Sequence, residues 1–124
     1  MPSDAEWTLL ENYVSSQSQY VCGSTSTYIA KSLAGTIGWN AASTIECAVG
    51  NDENTNNITD FGVHPAGSYA GSYGGVNYYA YFWSSTEYSN NDAYSRDFAY
   101  NIASVKRSNN HYKYCAFSVR CVKD

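Results

Sequence analysis

The chain has 124 residues, which is enough for one domain with a modest core and too few for two. Its formal net charge is −4 and its seven Lys and Arg residues are scattered, so neither a nucleic acid nor an anionic membrane is expected as a partner. No apolar run approaches membrane-spanning length, so direct membrane insertion is not expected either.

A helix is predicted over residues 3–15, where the first clear helix signals occur. Ser3 and Glu6 have the Ser-x-x-Glu spacing of a capping box, which satisfies free backbone N–H groups at a helix N-terminus. Three apolar side chains then recur at helical spacing and are expected to face the core: Trp7, Leu10 and Val14. No signal-peptide pattern precedes this helix, which indicates an excised domain or a mature portion.

A second helix is predicted over residues 25–34, with Gly35 as its stop signal. Residues 35–60 have the composition of a loop. Calcium could bind oxygen ligands in this loop, but its acidic residues lack the spacing and the glycine of a calcium-binding loop: Asp52, Glu53 and Asp60. A solvated loop is therefore the favoured interpretation, and no metal site is predicted.

The second half of the chain carries strand signals. Two apolar blocks, residues 79–83 and 117–122, are predicted to be buried strands. Between them, residues 93–100 alternate between apolar and polar side chains, and a short strand is predicted around Val105. Two helices followed by short antiparallel strands with long loops predict an α+β fold, as a single domain over residues 1–124. The side chains expected to form its framework are Trp7, Leu10, Val14, Leu33, Phe82, Trp83, Phe117 and Val119.

Residues 88–115 have an unusual composition, dominated by Asn, Tyr, Ser, Asp and His. Such side chains cannot form a core, because their polar groups need partners when buried. Disorder is not expected either, because disordered segments are poor in aromatic residues. Tyrosine with small polar residues is typical of recognition surfaces, so this segment is predicted to be a binding face.

The chain has four cysteines, which permit three pairings if all are bridged. If Cys115 and Cys121 lie on one strand, they are about 20 Å apart, which is too far for a disulfide. The preferred disulfide joins Cys22 and Cys47, which would close a loop around the second helix and be worth about 3 kcal/mol. Four free thiols in a reducing compartment are the alternative. The chain has neither a close cysteine pair nor histidines at the spacing of zinc ligands, so no zinc site is predicted.

Three separated motifs resemble one known family. The segments "PSDAEWTLLENYV", "FWSSTEY" and "FSVRCVKD" resemble the Fibrobacter succinogenes major paralogous domain, over nearly the whole chain from Pro2 to Asp124. That family is allied to the formylglycine-generating-enzyme type of C-type-lectin-like fold. The resemblance implies two helices packed on small twisted antiparallel sheets with long loops, and a subgroup of the family carries the Cys22 and Cys47 pair.

The resemblance also implies a function, since this fold includes the variable proteins of diversity-generating retroelements. Mutagenesis of adenines in Asn codons yields the residue types that dominate this part of the chain. Residues 78–115 are therefore the predicted variable region, with Arg96, Phe98, Val105 and Arg107 as fixed framework. The surface-displayed binding positions are predicted to be Tyr78, Asn90, Asn91, Asp92, Tyr94, Ser95, Asp97, Tyr100, Asn101, Ser108, Asn109, His111, Tyr112 and Tyr114.

Departures from the relatives argue against two other functions. Formylglycine-generating enzymes use a closely spaced cysteine pair before the terminal strand, and here Cys121 matches only the structural part of that strand. Calcium-dependent lectins carry Glu-Pro-Asn or Gln-Pro-Asp together with Trp-Asn-Asp, and none of these occurs. The chain is therefore predicted to be neither an enzyme nor a metal-dependent lectin, and no cofactor is expected.

The leading hypothesis is a non-catalytic, retroelement-diversified display domain that recognises a cell-surface protein or glycoconjugate. Its expected location is the bacterial cell surface, the extracellular space or a phage virion. The first alternative is a structural or adhesive domain of an envelope lipoprotein without diversification, and the second is a formylglycine-generating-type oxygenase. Alanine at Tyr94 and at Tyr112 is expected to abolish ligand capture while leaving the melting temperature within a few degrees.

Overall fold

The computed structural model describes residues 1–123. Asp124, the last residue of the predicted domain, lies outside the described residues. The fold is α+β, as predicted, with two helices and two small antiparallel sheets. Its elements are α1 (Asp4–Ser16), a 3-10 turn (Ser18–Tyr20), α2 (Ala30–Leu33), a second 3-10 turn (Glu53–Thr55), β1 (Ser68–Tyr69), β2 (Tyr73–Gly74), β3 (Tyr79–Glu87), β4 (Asp92–Ala99) and β5 (Lys106–Tyr112).

Helix α1 begins with the predicted capping box. The Ser3 hydroxyl accepts a hydrogen bond from the Glu6 amide at 3.2 Å, and the Glu6 carboxylate accepts one from the Ser3 amide at 2.7 Å. Trp7 and Val14 are buried against the rest of the domain, and Leu10 is partly buried beside them. The apolar stripe read from the sequence therefore forms one side of the core.

Helix α2 is shorter than the predicted helix over residues 25–34. The Tyr28 amide closes a turn on the Thr25 carbonyl, and the Tyr28 carbonyl accepts a hydrogen bond from the Cys22 amide at 2.9 Å. These bonds fold residues 25–28 as a turn, so the helix begins only at Ala30. The predicted disulfide between Cys22 and Cys47 is present, and Cys115 and Cys121 are free thiols.

The main sheet has the strand order β3-β4-β5, antiparallel throughout. Pairing of Ala80 with Phe98 and of Phe82 with Arg96 places these four side chains on the face that packs against α1, which we term the inner face. The alternate residues of the same strands point the other way. Tyr79, Tyr81 and Trp83 of β3 thus share an outer face with Ser95 and Asp97 of β4.

The predicted C-terminal strand over residues 117–122 is wrong. This segment runs beside β3 as a single parallel bridge between Phe82 and Ser118, with hydrogen bonds to Tyr81 and Trp83. Val119 is 56% exposed, so it is not a core residue as predicted. Phe117 and Trp83 are half-buried and stack on each other on the outer face, because alternation along β3 turns Trp83 away from the core. The block at residues 79–83 is likewise buried on one side only.

The inner face contains a fully buried cation, Arg96. Its guanidinium donates to the Asp4 carboxylate at 2.7 Å, to the Glu11 carboxylate and to the Thr8 hydroxyl at 3.0 Å. These three acceptors belong to successive turns of α1. The pairing fixes the helix on the sheet and satisfies a charge that would otherwise be costly to bury.

The loop that holds the acidic residues is organised by Lys31 of α2. Its ammonium donates to the Asp52 carbonyl and the Asn56 amide oxygen, each at 2.9 Å, and to the Asn51 carbonyl. Burial lowers the pKa of Lys31, an effect that the nearby charge of Asp52 opposes. Glu53 accepts a hydrogen bond from the Trp39 amide at 3.0 Å. No helix within residues 1–123 is long and apolar enough to span a membrane.

Candidate functional site

The outer face carries a hydrogen-bonded network centred on Asp97. One carboxylate oxygen, Oδ1, accepts from the Ser95 hydroxyl at 2.6 Å, and the other, Oδ2, accepts from the Ser108 hydroxyl and lies 3.0 Å from Nε2 of His111. Strand pairing places Ser95 opposite Ser108, and an irregularity in the β4–β5 register brings His111 into reach of Asp97. Side chains of two neighbouring strands, β4 and β5, therefore position this carboxylate.

Aromatic rings also contact His111. The Phe117 ring stacks on Tyr81 at 4.8 Å and on Trp83 at 4.4 Å between centroids, and the His111 ring meets Phe117 edge-on at 5.0 Å. In a neutral His111 whose Nε2 donates its hydrogen to Asp97, Nδ1 keeps a lone pair and acts as an acceptor. The segment that was expected to be a core strand therefore contributes a wall to the outer face.

A concave pocket of about 360 Å³ opens on this face. Its walls are mainly apolar, and its titratable side chains include Asp97, Lys106 and His111. Burial raises the pKa of the Tyr81 phenol, and the charge of Asp97 raises it further, so this hydroxyl stays protonated at neutral pH. A pocket with apolar walls and a few convergent polar groups is the usual form of a small-molecule site. The remaining wall is formed by Tyr79, Tyr81, Phe98, Ala99, Ile102 and Ser104.

A second exposed region lies at the β3–β4 turn. Asn90 and Asn91 are exposed there, and the Ser89 hydroxyl accepts from the Asn91 and Asp92 amides at 3.2 and 3.0 Å. The Lys113 ammonium donates to the Asn90 carbonyl at 3.1 Å. The turn is therefore fixed by hydrogen bonds although its side chains face solvent.

Two exposed tyrosine rings at the end of β5 lie beside this turn. Tyr112 and Tyr114 are 51% and 73% exposed, and their rings stack at 5.3 Å with 15° between planes. Strand pairing of Tyr112 with Asp92 joins them to the turn. We term Asn90, Asn91, Asp92, Tyr112 and Tyr114 the turn patch.

Tyr94 lies on the other side of the sheet from the pocket. Its ring packs edge-on against Tyr88 at 5.5 Å, and the Arg107 guanidinium lies 4.2 Å above it. Arg107 in turn makes three hydrogen bonds to the Asp4 carboxylate, which raise the pKa of Arg107. Tyr94 is thus tied to a framework ion pair rather than displayed freely.

Two of the predicted surface positions are wrong, because Ser95 and Ser108 are 0% and 4% exposed. Both hydroxyls donate hydrogen bonds to Asp97 and thereby orient its carboxylate. Asn109 is half-buried in β5.

At the far end of the sheet, Tyr78 is 46% exposed, and its ring meets Tyr100 edge-on at 5.3 Å. Tyr100 packs against the core and Asn101 is half-buried. The predicted positions therefore divide into the outer-face network, the turn patch, Tyr94 and this distal group.

Several residues of the pocket were not among the predicted site residues: Tyr79, Tyr81, Ile102, Ser104 and Lys106. The first two had a usable signal, because strict alternation in "YAYFW" puts both tyrosines on one face once Ala80 and Phe82 are assigned to the core. Ile102, Ser104 and Lys106 lie in and after a turn whose path the sequence does not reveal.

Within residues 1–123, no group of three or more His, Cys, Asp or Glu side chains is placed to hold a metal ion. The loop oxygens nearest the acidic residues instead accept from Lys31.

Comparison with known sequences identifies the family. No match to the chain was found among curated proteins or among solved structures. The family model of the Fibrobacter succinogenes major domain matches residues 1–123, which is almost the entire chain. This chain, with its capped first helix, its buried Arg96 and its three-stranded sheet, therefore belongs to the Fibrobacter succinogenes major domain family.

Proposed function

We propose that this chain is a non-catalytic ligand-binding domain that presents its turn patch and outer face to a protein or glycoconjugate on a cell surface. One observation carries the proposal: exposed tyrosine rings lie on a backbone that is already fixed. Tyr112 and Tyr114 stack on each other in solvent, beside a turn held by Ser89 and Lys113.

A fixed backbone favours binding for an energetic reason. Ordering a flexible side chain on association costs about 0.5–1.5 kcal/mol, and a surface that is already ordered avoids much of this cost. A few aromatic anchors then supply most of the affinity, at about 2 kcal/mol each. The tyrosines of the turn patch are suited to this role because each combines a rigid ring with a hydroxyl.

Retroelement diversification of the exposed positions is part of this proposal. The supporting observations are the residue types of residues 88–115 and the exposure of Asn90, Asn91, Tyr112 and Tyr114. Buried Ser95 and Ser108 are excluded from the variable set, because replacement there removes a donor to Asp97. Sequences of sibling copies test this: substitutions are expected in the turn patch, beside a reverse transcriptase gene and a near-identical template repeat.

An oxidising location is also part of the proposal. The Cys22–Cys47 disulfide supports it, because such bonds persist in secreted, periplasmic and surface proteins and are rare in the cytosol. A cell envelope, the extracellular space or a virion surface would each provide this environment.

Cell-binding measurements test the central claim. Four copies of the chain would be attached to one fluorescent carrier, and binding of this tetramer to a panel of bacterial cells would be measured by flow cytometry. Replacing both Tyr112 and Tyr114 by Ala is expected to abolish binding, whereas Tyr13→Ala, a matched change of a 60% exposed ring on α1, is expected to preserve it. Equal loss in both variants, or no loss in the double variant, would contradict the proposal and favour a structural domain.

A further inference from the structure

We infer that the outer-face pocket binds one uncharged saccharide ring directly through protein side chains, an inference that rests on the proposed ligand-binding function and names the ligand class of this site. The pocket has a volume of about 360 Å³, close to the lower limit of small-molecule sites. A single sugar ring is a ligand of that scale, and a longer glycan can continue into solvent from the open side.

The aromatic wall provides the first requirement of such a ligand. Tyr79 is 38% exposed and its ring lies 5.9 Å from that of Tyr81, at 34° between planes, so the two rings form a continuous surface. A pyranose has one face of C–H groups that packs on an aromatic ring and an edge of hydroxyls that does not. An aromatic surface next to polar groups matches both.

The charges in the pocket decide between ligand classes. Asp97 and Lys106 are cross-strand neighbours that both line the pocket, yet they form no ion pair with each other. An anionic ligand would be repelled by the first and a cationic ligand by the second. Neighbouring hydroxyls on one ring can donate to Asp97 and accept from Lys106 at the same time, so a neutral polyol satisfies both charges.

The hydrogen-bonding capacity of Asp97 supports the same ligand. Its oxygens offer about four acceptor positions, and Ser95, Ser108 and His111 use three of them. Oδ1 accepts only from Ser95 among residues 1–123, which leaves one position for a ligand hydroxyl. The neutral Tyr81 hydroxyl on the pocket wall can both donate and accept.

Saturation-transfer NMR on the intact chain tests the inference. The neutral probes are the methyl glycosides of glucose, galactose, mannose and N-acetylglucosamine, and the charged probes are glucuronate and choline, all at millimolar concentration. At least one neutral glycoside is expected to bind, with no change when EDTA is added. Tyr79→Ala and Lys106→Ala, both at exposed positions, should each weaken that binding about tenfold, while Tyr13→Ala should leave it unchanged.

Each other outcome overturns the inference. Binding of no neutral glycoside, stronger binding of glucuronate or choline, or equal binding by Tyr79→Ala and the native chain would show that the pocket is not a saccharide site. Cell capture is measured separately, with variants of Tyr112 and Tyr114, whose side chains do not line the pocket. If the native chain captures cells but gives no NMR signal with a neutral glycoside, this inference alone is overturned. If it does neither, the proposed function is overturned as well.

Discussion

Arg96 and Asp4 lie 92 positions apart in the chain, and Nη1 of Arg96 donates to Oδ1 of Asp4 at 2.7 Å. The Arg96 side chain is completely buried, whereas Arg107, which binds the same carboxylate, is 50% exposed. One carboxylate at the start of α1 therefore joins the helix to two neighbouring strands.

Replacement of Arg96 by alanine is expected to lower the free energy of unfolding by about 3–5 kcal/mol, because it leaves the carboxylates of Asp4 and Glu11 without their buried partner. Urea denaturation followed by circular dichroism measures the change. Arg107→Ala is the matched control and should cost about 1 kcal/mol or less, since its side chain is half in solvent. Similar losses in the two variants would show that burial of Arg96 is not what matters.

Acid is expected to weaken this junction. Hydrogen bonds from Arg107, with those from Arg96, hold the pKa of Asp4 below its ordinary value of 3.8, although burial acts in the opposite direction. A carboxyl with a lowered folded-state pKa contributes its full stabilisation above the unfolded-state pKa, and loses it as the pH falls through the folded-state pKa.

The stability difference between the native chain and Asp4→Asn should therefore be largest at neutral pH and shrink below about pH 3.8. Urea midpoints of both proteins between neutral pH and pH 2 provide the measurement. A difference that stays constant over this range would contradict the assignment.

Removing the disulfide by replacing Cys22 and Cys47 with serine should destabilise the chain by about 3 kcal/mol, because the bridge closes a loop across 25 positions. Thermal unfolding of the double variant should then be unaffected by a reductant, which lowers the melting temperature of the native chain. Cys115→Ser serves as the control, since Cys115 is a free thiol and its variant should keep the reductant effect.

The two tyrosines that the sequence treats alike are separated by the structure. Tyr94→Ala should lower stability by about 1–2 kcal/mol, because it removes the ring under Arg107 and beside Tyr88. Tyr112→Ala should change stability by no more than about 0.5 kcal/mol, since its ring is half exposed. Chemical denaturation of both variants distinguishes them, and equal effects would place both rings on the surface or both in the framework.

Local signals explain which parts of the fold could be predicted. The capping box and the apolar stripe of α1 are encoded within a few residues, and so is the alternation of β3 and β4. The strand prediction for residues 117–122 is wrong because apolar and polar residues alternate there as in a strand. In the structure, Ser118 makes only one β-bridge and Phe117 packs on the outer face. The predicted length of the second helix is too great, because helix propensities do not reveal the hydrogen bond from the Cys22 amide to the Tyr28 carbonyl.

The candidate site depended more strongly on tertiary structure. Composition selected residues 88–115 as the candidate binding face, but it could not tell exposed tyrosines from Tyr94, or surface serines from Ser95 and Ser108. That distinction requires the strand register, since a shift of one residue exchanges the two faces of a sheet. The irregularity between β4 and β5 that brings His111 to Asp97 has no sequence signature of its own.

The ammonium of Lys31 occupies the centre of the asparagine-rich loop, where it binds oxygens of Asn51, Asp52 and Asn56. A tethered cation of this kind travels with the polypeptide and cannot be diluted away or removed by a chelator. The loop is therefore held by a side chain of the protein itself, Lys31. We expect the domain to keep the shape of this loop in surroundings where the supply of divalent ions varies.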